Sequence, residues 1–178
     1  MFLAGEAPSA VRGGLVCDTV KVAVGIVVAL LLSAPAAAQG VVMQRNISLP
    51  MAKTIAEATL AACKAKGFNT SAAVVDRAGQ VMVLLRDEQA VPQTLEMARR
   101  KAYTARMFRV TTMEFQKRTE DPLRAGQREL TDILALSGGV PIQVGNETIG
   151  GVGSAGSNLE TDDACAKAGV AKVAELLK

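Results

Sequence analysis

This sequence predicts an α/β sandwich built on a central antiparallel sheet. Three observations carry that expectation: four segments have helical spacing, two pairs of short apolar runs each meet across a tight turn, and the elements fall in the order helix, hairpin, two helices, hairpin, helix. Strands joined by tight turns run antiparallel, which argues against a doubly wound parallel sheet.

The beginning of the chain is unlike the rest. Arg12 and Lys21 precede an apolar run from Val22 to Leu32, and "SAPAAAQG" follows, with Ala36 and Ala38 in an A-x-A arrangement. The pattern is that of a secretory signal peptide over residues 1–38, cleaved after Ala38. The run is shorter than the roughly 20 apolar residues a bilayer requires, so no membrane anchor is expected after cleavage. Cys17 precedes the apolar run, which argues against a lipoprotein signal. Residues 39–178, about 140 of them, match one ordinary domain with its own core. A periplasmic or secreted location is expected.

In that domain Pro50 opens a helix over Met51 to Lys66, with Ile55, Thr59 and Cys63 beside Ala58, Ala62 and Ala65 at helical spacing, and Gly67 stops it. "TSAAVVDRAGQVMVLLRD" gives a strand from Ala72 to Val75, a turn at Asp76 to Gly79 and a return from Val81 to Leu85. Pro92 suits a first helical turn, and the helix runs to about Phe108 with Leu95, Ala98, Ala102 and Ala105 inward. Thr111 and Glu114 have the spacing of a capping box and start a short helix. "RAGQRELTDILALS" reads as a loop with a short helical piece. Val140 to Val144 and Thr148 to Val152 form a second hairpin, and Thr161 to Leu177 closes the chain as a helix with Asp162 and Asp163 at its dipole-positive end.

Net charge is +3, and the acidic and basic residues of the signal cancel, so the remainder is also +3. That is too mild for a nucleic-acid binder, which would carry a much more basic surface and stacking aromatics. The whole sequence has no histidine. Ser-His and Cys-His catalytic arrangements are therefore excluded, and a tetrahedral zinc site on Cys63, Cys165 and carboxylates would match the usual ligand sets poorly. Any catalysis would depend on a bound cofactor. Export favours a disulfide between Cys63 and Cys165, tying the first helix to the last; two separate buried thiols are the alternative.

"GGVPI", then "GNETIGGVGSAG", the acidic Asp162 and "AKAG" at Ala166 to Gly169, with "ARRKAYTA" upstream, resemble the GlcG/HbpS haem-binding family, collinearly from Leu49 to Lys178. The resemblance implies a profilin-like α-β-α domain that forms homo-oligomers. It also implies binding of haem, or its degradation with release of iron; other members are linked to corrinoid or glycolate metabolism. Two departures stand out. The family's Asp-Gly-Ala after the second strand is replaced by Asp87, Glu88, Gln89 and Ala90, and the histidine that some members place near iron is absent.

Two stretches could hold a ligand. "ARRKAYTARMFR", from Ala98 to Arg109, packs five cationic side chains and the chain's single tyrosine into one helix. With its alanines inward, Arg99, Tyr103 and Met107 share another face, with Thr104 beside them and Arg100 and Arg106 flanking. Phenolate and thioether are both known haem ligands, and arginines suit propionates. Tyr103 is the candidate metal ligand. The alternative is packing of Tyr103 and Met107 on a neighbouring loop or subunit, with the arginines solvated or paired to Glu96 and Asp87. The second stretch, "GVGSAGSNLETDD", offers Gly153, Ser154 and Gly156 before a helix N-terminus able to hold an anion; a plain strand-to-helix turn capped by Ser157, Asn158 or Thr161 is the other reading. The expected partners are haem or a small anionic ligand, together with further copies of the chain. A ligand-free structural oligomer is a third possibility, since Ala58, Ala61, Ala62 and Ala65 would allow close subunit packing.

Overall fold

The computed structural model describes residues 40–178, so the signal peptide expected over residues 1–38 and its cleavage point lie outside the described residues. The chain divides into Met1–Met43 and Gln44–Lys178, and all the elements below belong to the second unit.

Ser48 caps α1 (Leu49–Lys64) by accepting a hydrogen bond from the Met51 amide, and Pro50 occupies the first turn, where no intrahelical donor is lost. The buried face is Ala52, Ile55, Ala56, Thr59 and Cys63. The first hairpin is β1 (Ser71–Val75) and β2 (Val81–Arg86), turned at Gly79 with φ +82°. Asp76 Oδ1 closes that turn by accepting from the amides of Ala78 (2.8 Å) and Gln80 (2.9 Å). α2 is Gln93–Phe108 and ends on Arg109 in the left-handed region, φ 59°. Thr111 and Glu114 form the expected reciprocal capping box at the start of α3 (Thr112–Arg118). A 3₁₀ turn at Ala125–Glu129 is the short helical piece in the long connection. β3 (Gly139–Val144) and β4 (Glu147–Ala155) form the second hairpin, and α4 (Leu159–Ala171) ends the domain, followed by a 3₁₀ turn at Ala174–Leu176. α4 starts earlier than Thr161 because Asn158 is the residue that caps it, through the Thr161 amide at 2.9 Å.

The sheet order is β2-β1-β4-β3 with every pair antiparallel. The central pair joins the two hairpins, Ser71 opposite Ala155 and Val75 opposite Gly151. Alternation along β1 sorts its side chains onto two faces. Ala72 and Val74 join Ile142, Ile149 and Val152 against Ile55 and Ala56 of α1 and Ala166 of α4. Ala73 and Val75 meet Ala98 and Ala102 of α2, with Ala155 and the half-buried Met97.

The two layers are therefore held differently. Branched aliphatics fill the α1/α4 side, each fully buried one contributing about 1.5–3 kcal/mol. The α2 side has almost no large side chains and relies on close backbone approach, where many weak dispersion contacts accumulate. Gly151 and Gly153 make the approach possible: a β-carbon on either would overlap the carbonyl oxygen of Ala102 or Ala98. This explains why β4 continues to Ala155 although the sequence reads as loop after Val152. The glycines are the floor on which α2 lies.

Cys63 and Cys165 form a disulfide between α1 and α4, with Cα atoms 5.5 Å apart. Gly169 allows the two helices to meet, since a β-carbon there would overlap the Thr59 hydroxyl.

Candidate functional site

The stripe along α2 divides into three fates. Arg99 is already engaged: its guanidinium donates to both oxygens of Glu96 (2.7 and 2.9 Å) and to Asp132 (2.6 Å). Those carboxylates, Glu96 first, hold the Arg99 pKa above its usual value, and Arg99 in turn lowers that of Glu96. Thr104 is buried; its hydroxyl donates to the Arg100 carbonyl (2.8 Å) and accepts from the Leu134 amide (2.9 Å), which ties the long connection to α2. Thr104 is therefore a structural anchor of that segment. The expected pairing of Asp87 with these arginines does not occur, because Asp87 pairs with Lys64 at 2.9 Å.

Tyr103 and Met107 remain together on the half-buried outer side of α2. Both pack on the β1–β2 turn: a β-carbon on Gly79 would lie 2.8 Å from Tyr103 Cε2 and 2.5 Å from Met107 Cε. The Tyr103 hydroxyl makes no hydrogen bond among the described residues. A phenol oxygen and a thioether one helical turn apart are thus left with their donor atoms uncommitted, a donor set chemically suited to haem iron. Among the described residues no cluster of three or more histidine, cysteine, aspartate or glutamate side chains is placed to hold a bare metal ion.

Gly153 to Gly156 are not brought to this stripe. Gly153 and Ser154 lie inside β4, and Ser154 points to the opposite face, its Oγ 3.6 Å from Cys63 Sγ. Gly156, at φ +132°, backs onto Asn69 and Thr70. The single groove expected from these residues and the α2 stripe is not formed within one chain: Gly153 is covered by the inner face of α2, Ser154 points to the opposite face of the sheet, and Gly156 lies against the segment before β1.

The sequence reading missed what the Ser154 carbonyl does. It accepts from Lys101 Nζ at 2.9 Å, and the same ammonium is 2.7 Å from Asp162 Oδ2, with side-chain exposures of 0% and 2% for the pair. Asp162 Oδ1 accepts from the Ser157 amide and hydroxyl, so the carboxylate is satisfied on both oxygens. Burial pulls the Lys101 pKa down, against the opposing pull of Asp162. This pair pins α2, the end of β4 and the start of α4 to one point. The signal was present in the spacing Ala98, Lys101, Ala102, Ala105, which puts a lysine on the core stripe.

Four antiparallel strands between two helices and a long third helix, with a phenol–thioether pair on the outer side of that helix, define a small α-β-α sandwich domain. The family model for "Haem degrading protein HbpS-like" matches residues 47–171, and the chain belongs to that family. A double mutant of HbpS from Streptomyces reticuli has a crystal structure that superimposes with a TM-score of 0.71 at 34% identity, covering 78% of this chain and 96% of that one. The fold is shared with the Klebsiella pneumoniae protein ORFY (TM-score 0.72, 22% identity, 76% and 96% covered) and with the PduOC:heme complex (TM-score 0.64, 22% identity, 71% and 94% covered). A curated relative, the uncharacterized 15.0 kDa protein in the dhaT–dhaS intergenic region of Citrobacter freundii, is 28% identical over 120 residues, 66% of this chain and 84% of that protein.

Proposed function

We propose that this protein is exported, binds haem on the outer side of α2 around Tyr103 and Met107, and works as a homo-oligomer. The observation that carries the reading is the Tyr103 hydroxyl: the single phenol of the chain has no hydrogen-bond partner among the described residues, beside an uncommitted thioether, in a family described by its action on haem. With histidine absent, Tyr103 is the side chain best suited to approach the iron, and bound haem would supply the redox chemistry that the side chains lack. Because Arg99 is held by Glu96 and Asp132, Arg99 serves to fix the α2 surface and contributes little direct affinity. The exposed Val81 (44%) and Leu84 (39%) of edge strand β2 support contacts between copies.

Haemin titration of wild type and Tyr103→Phe is the test. A saturable Soret shift with a tyrosinate charge-transfer band that disappears in Tyr103→Phe, while affinity falls only a few-fold, is the expected result; identical spectra would remove Tyr103 from the site. The intact mass of the exported form should begin at Gln39, and light scattering of the purified protein should give a multiple of the chain mass.

A further inference from the structure

Three arginines from two separate elements converge at the end of the sheet opposite the buried ion pair. Arg77, in the β1–β2 turn, and Arg106 and Arg109, at the C-terminal end of α2, line a polar pocket of about 120 Å³ whose remaining wall is Asn146, Glu147 and Thr148 of the β3–β4 hairpin. Glu147 is the one carboxylate in that wall, and it is engaged by Arg77, which also donates to the Arg45 carbonyl (3.2 Å). Arg106 and Arg109 form no ion pair among the described residues. Arg106 Nε is buried and has no hydrogen-bond partner there either. Burying a guanidinium N–H without an acceptor is costly, and neighbouring like charges add to that cost. Burial, then Arg77, then Arg109 push the Arg106 pKa down, against a smaller opposing pull from Asp76.

Arg109 adds an independent sign. It occupies the left-handed position after α2, φ 59°, where glycine ends helices with least strain. An arginine held there spends backbone energy while extending a guanidinium toward the other two. We propose that this pocket is a binding site for a small oxyanion, the phosphate or carboxylate group of a soluble ligand. Planar guanidinium forks match both groups. A bound oxyanion would give Arg106 Nε its missing acceptor and add negative charge beside three arginines whose nearby carboxylates are Asp76 and Glu147, the latter shared between Arg77 and Arg45. The Thr148 hydroxyl, which accepts from Gln143 Nε2 at 3.3 Å, keeps its own proton to donate. Drug-sized ligands occupy pockets of roughly 300–1,000 Å³, so this one suits a single anionic group and not a porphyrin.

The test uses the haem-free protein, so its outcome is independent of the haem reading. Calorimetric titration with inorganic phosphate and with succinate, at constant ionic strength to hold screening fixed, should show saturable binding of one of them. Phosphate binding without succinate binding identifies a phosphate-bearing ligand, and the reverse a carboxylate-bearing one. Arg106→Gln and Arg109→Gln should each raise the Kd about tenfold, as expected for losing one charge-assisted contact. Arg124→Gln, which removes an exposed charge outside the pocket, should leave it unchanged. Absence of saturable binding by either probe, or equal weakening by all three variants, would overturn the proposal.

Discussion

At the residue scale the Lys101–Asp162 pair is the most consequential contact, because neither group can reach water. Removing one member of a buried pair leaves an uncompensated charge, so Asp162→Asn should destabilise the fold by about 3–5 kcal/mol. The pH dependence follows from the sign of the lysine shift. Its folded pKa lies below the ordinary 10.5, so between the two values the unfolded chain binds more protons and stability rises with pH. Deleting Asp162 removes the pull that opposes burial, which widens that window downward. Urea midpoints of the variant should therefore climb from pH 7 toward pH 10 more steeply than those of wild type; a flat profile would mean that Lys101 finds solvent. The stripe of alanines around Lys101 was legible in the sequence, whereas its partner was not, since Asp162 also satisfies the simpler description of an acid at a helix start.

Elements whose ends are marked by local chemistry were read closely: Pro50 in the first turn of α1, the Thr111–Glu114 box of α3, and the glycine turns of both hairpins. β4 was cut short at Val152 because Gly-Ser-Ala-Gly has poor strand propensity, and propensity yields to tertiary pairing when the strand is central. Its glycines answer to α2, which no local pattern records. Gly153→Ala should therefore cost about 3 kcal/mol, at the upper end of ordinary overpacking, since the new methyl meets backbone and not a movable side chain. Gly126→Ala, with nothing within 4 Å, should change thermal stability by less than about 1 kcal/mol. If the two variants melted alike, the close α2–β4 approach would not be what holds that layer.

For the whole molecule, the disulfide joins residues 102 apart in sequence. In the chain-entropy account such a loop closure stabilises by about 4–5 kcal/mol. The unreduced protein should show no free thiol at Cys63 or Cys165 on denaturation, and the Cys63→Ala, Cys165→Ala double variant should lose stability near that amount in urea melts. The layered architecture was legible from element order alone. The arginine pocket was not, because Arg77 and Arg106 are distant in sequence and become neighbours only once the sheet has formed.

The pairing of β1 with β4 also sets a timetable. β1 is made early, with β2 as its one partner in sequence reach, and its second edge stays open until the chain has been completed through Ala155. Non-local pairing of this kind is slow relative to helix and hairpin formation. Until β4 has been made the chain thus carries an unsatisfied Ala-Ala-Val-Val edge, which makes that interval its most aggregation-prone stage.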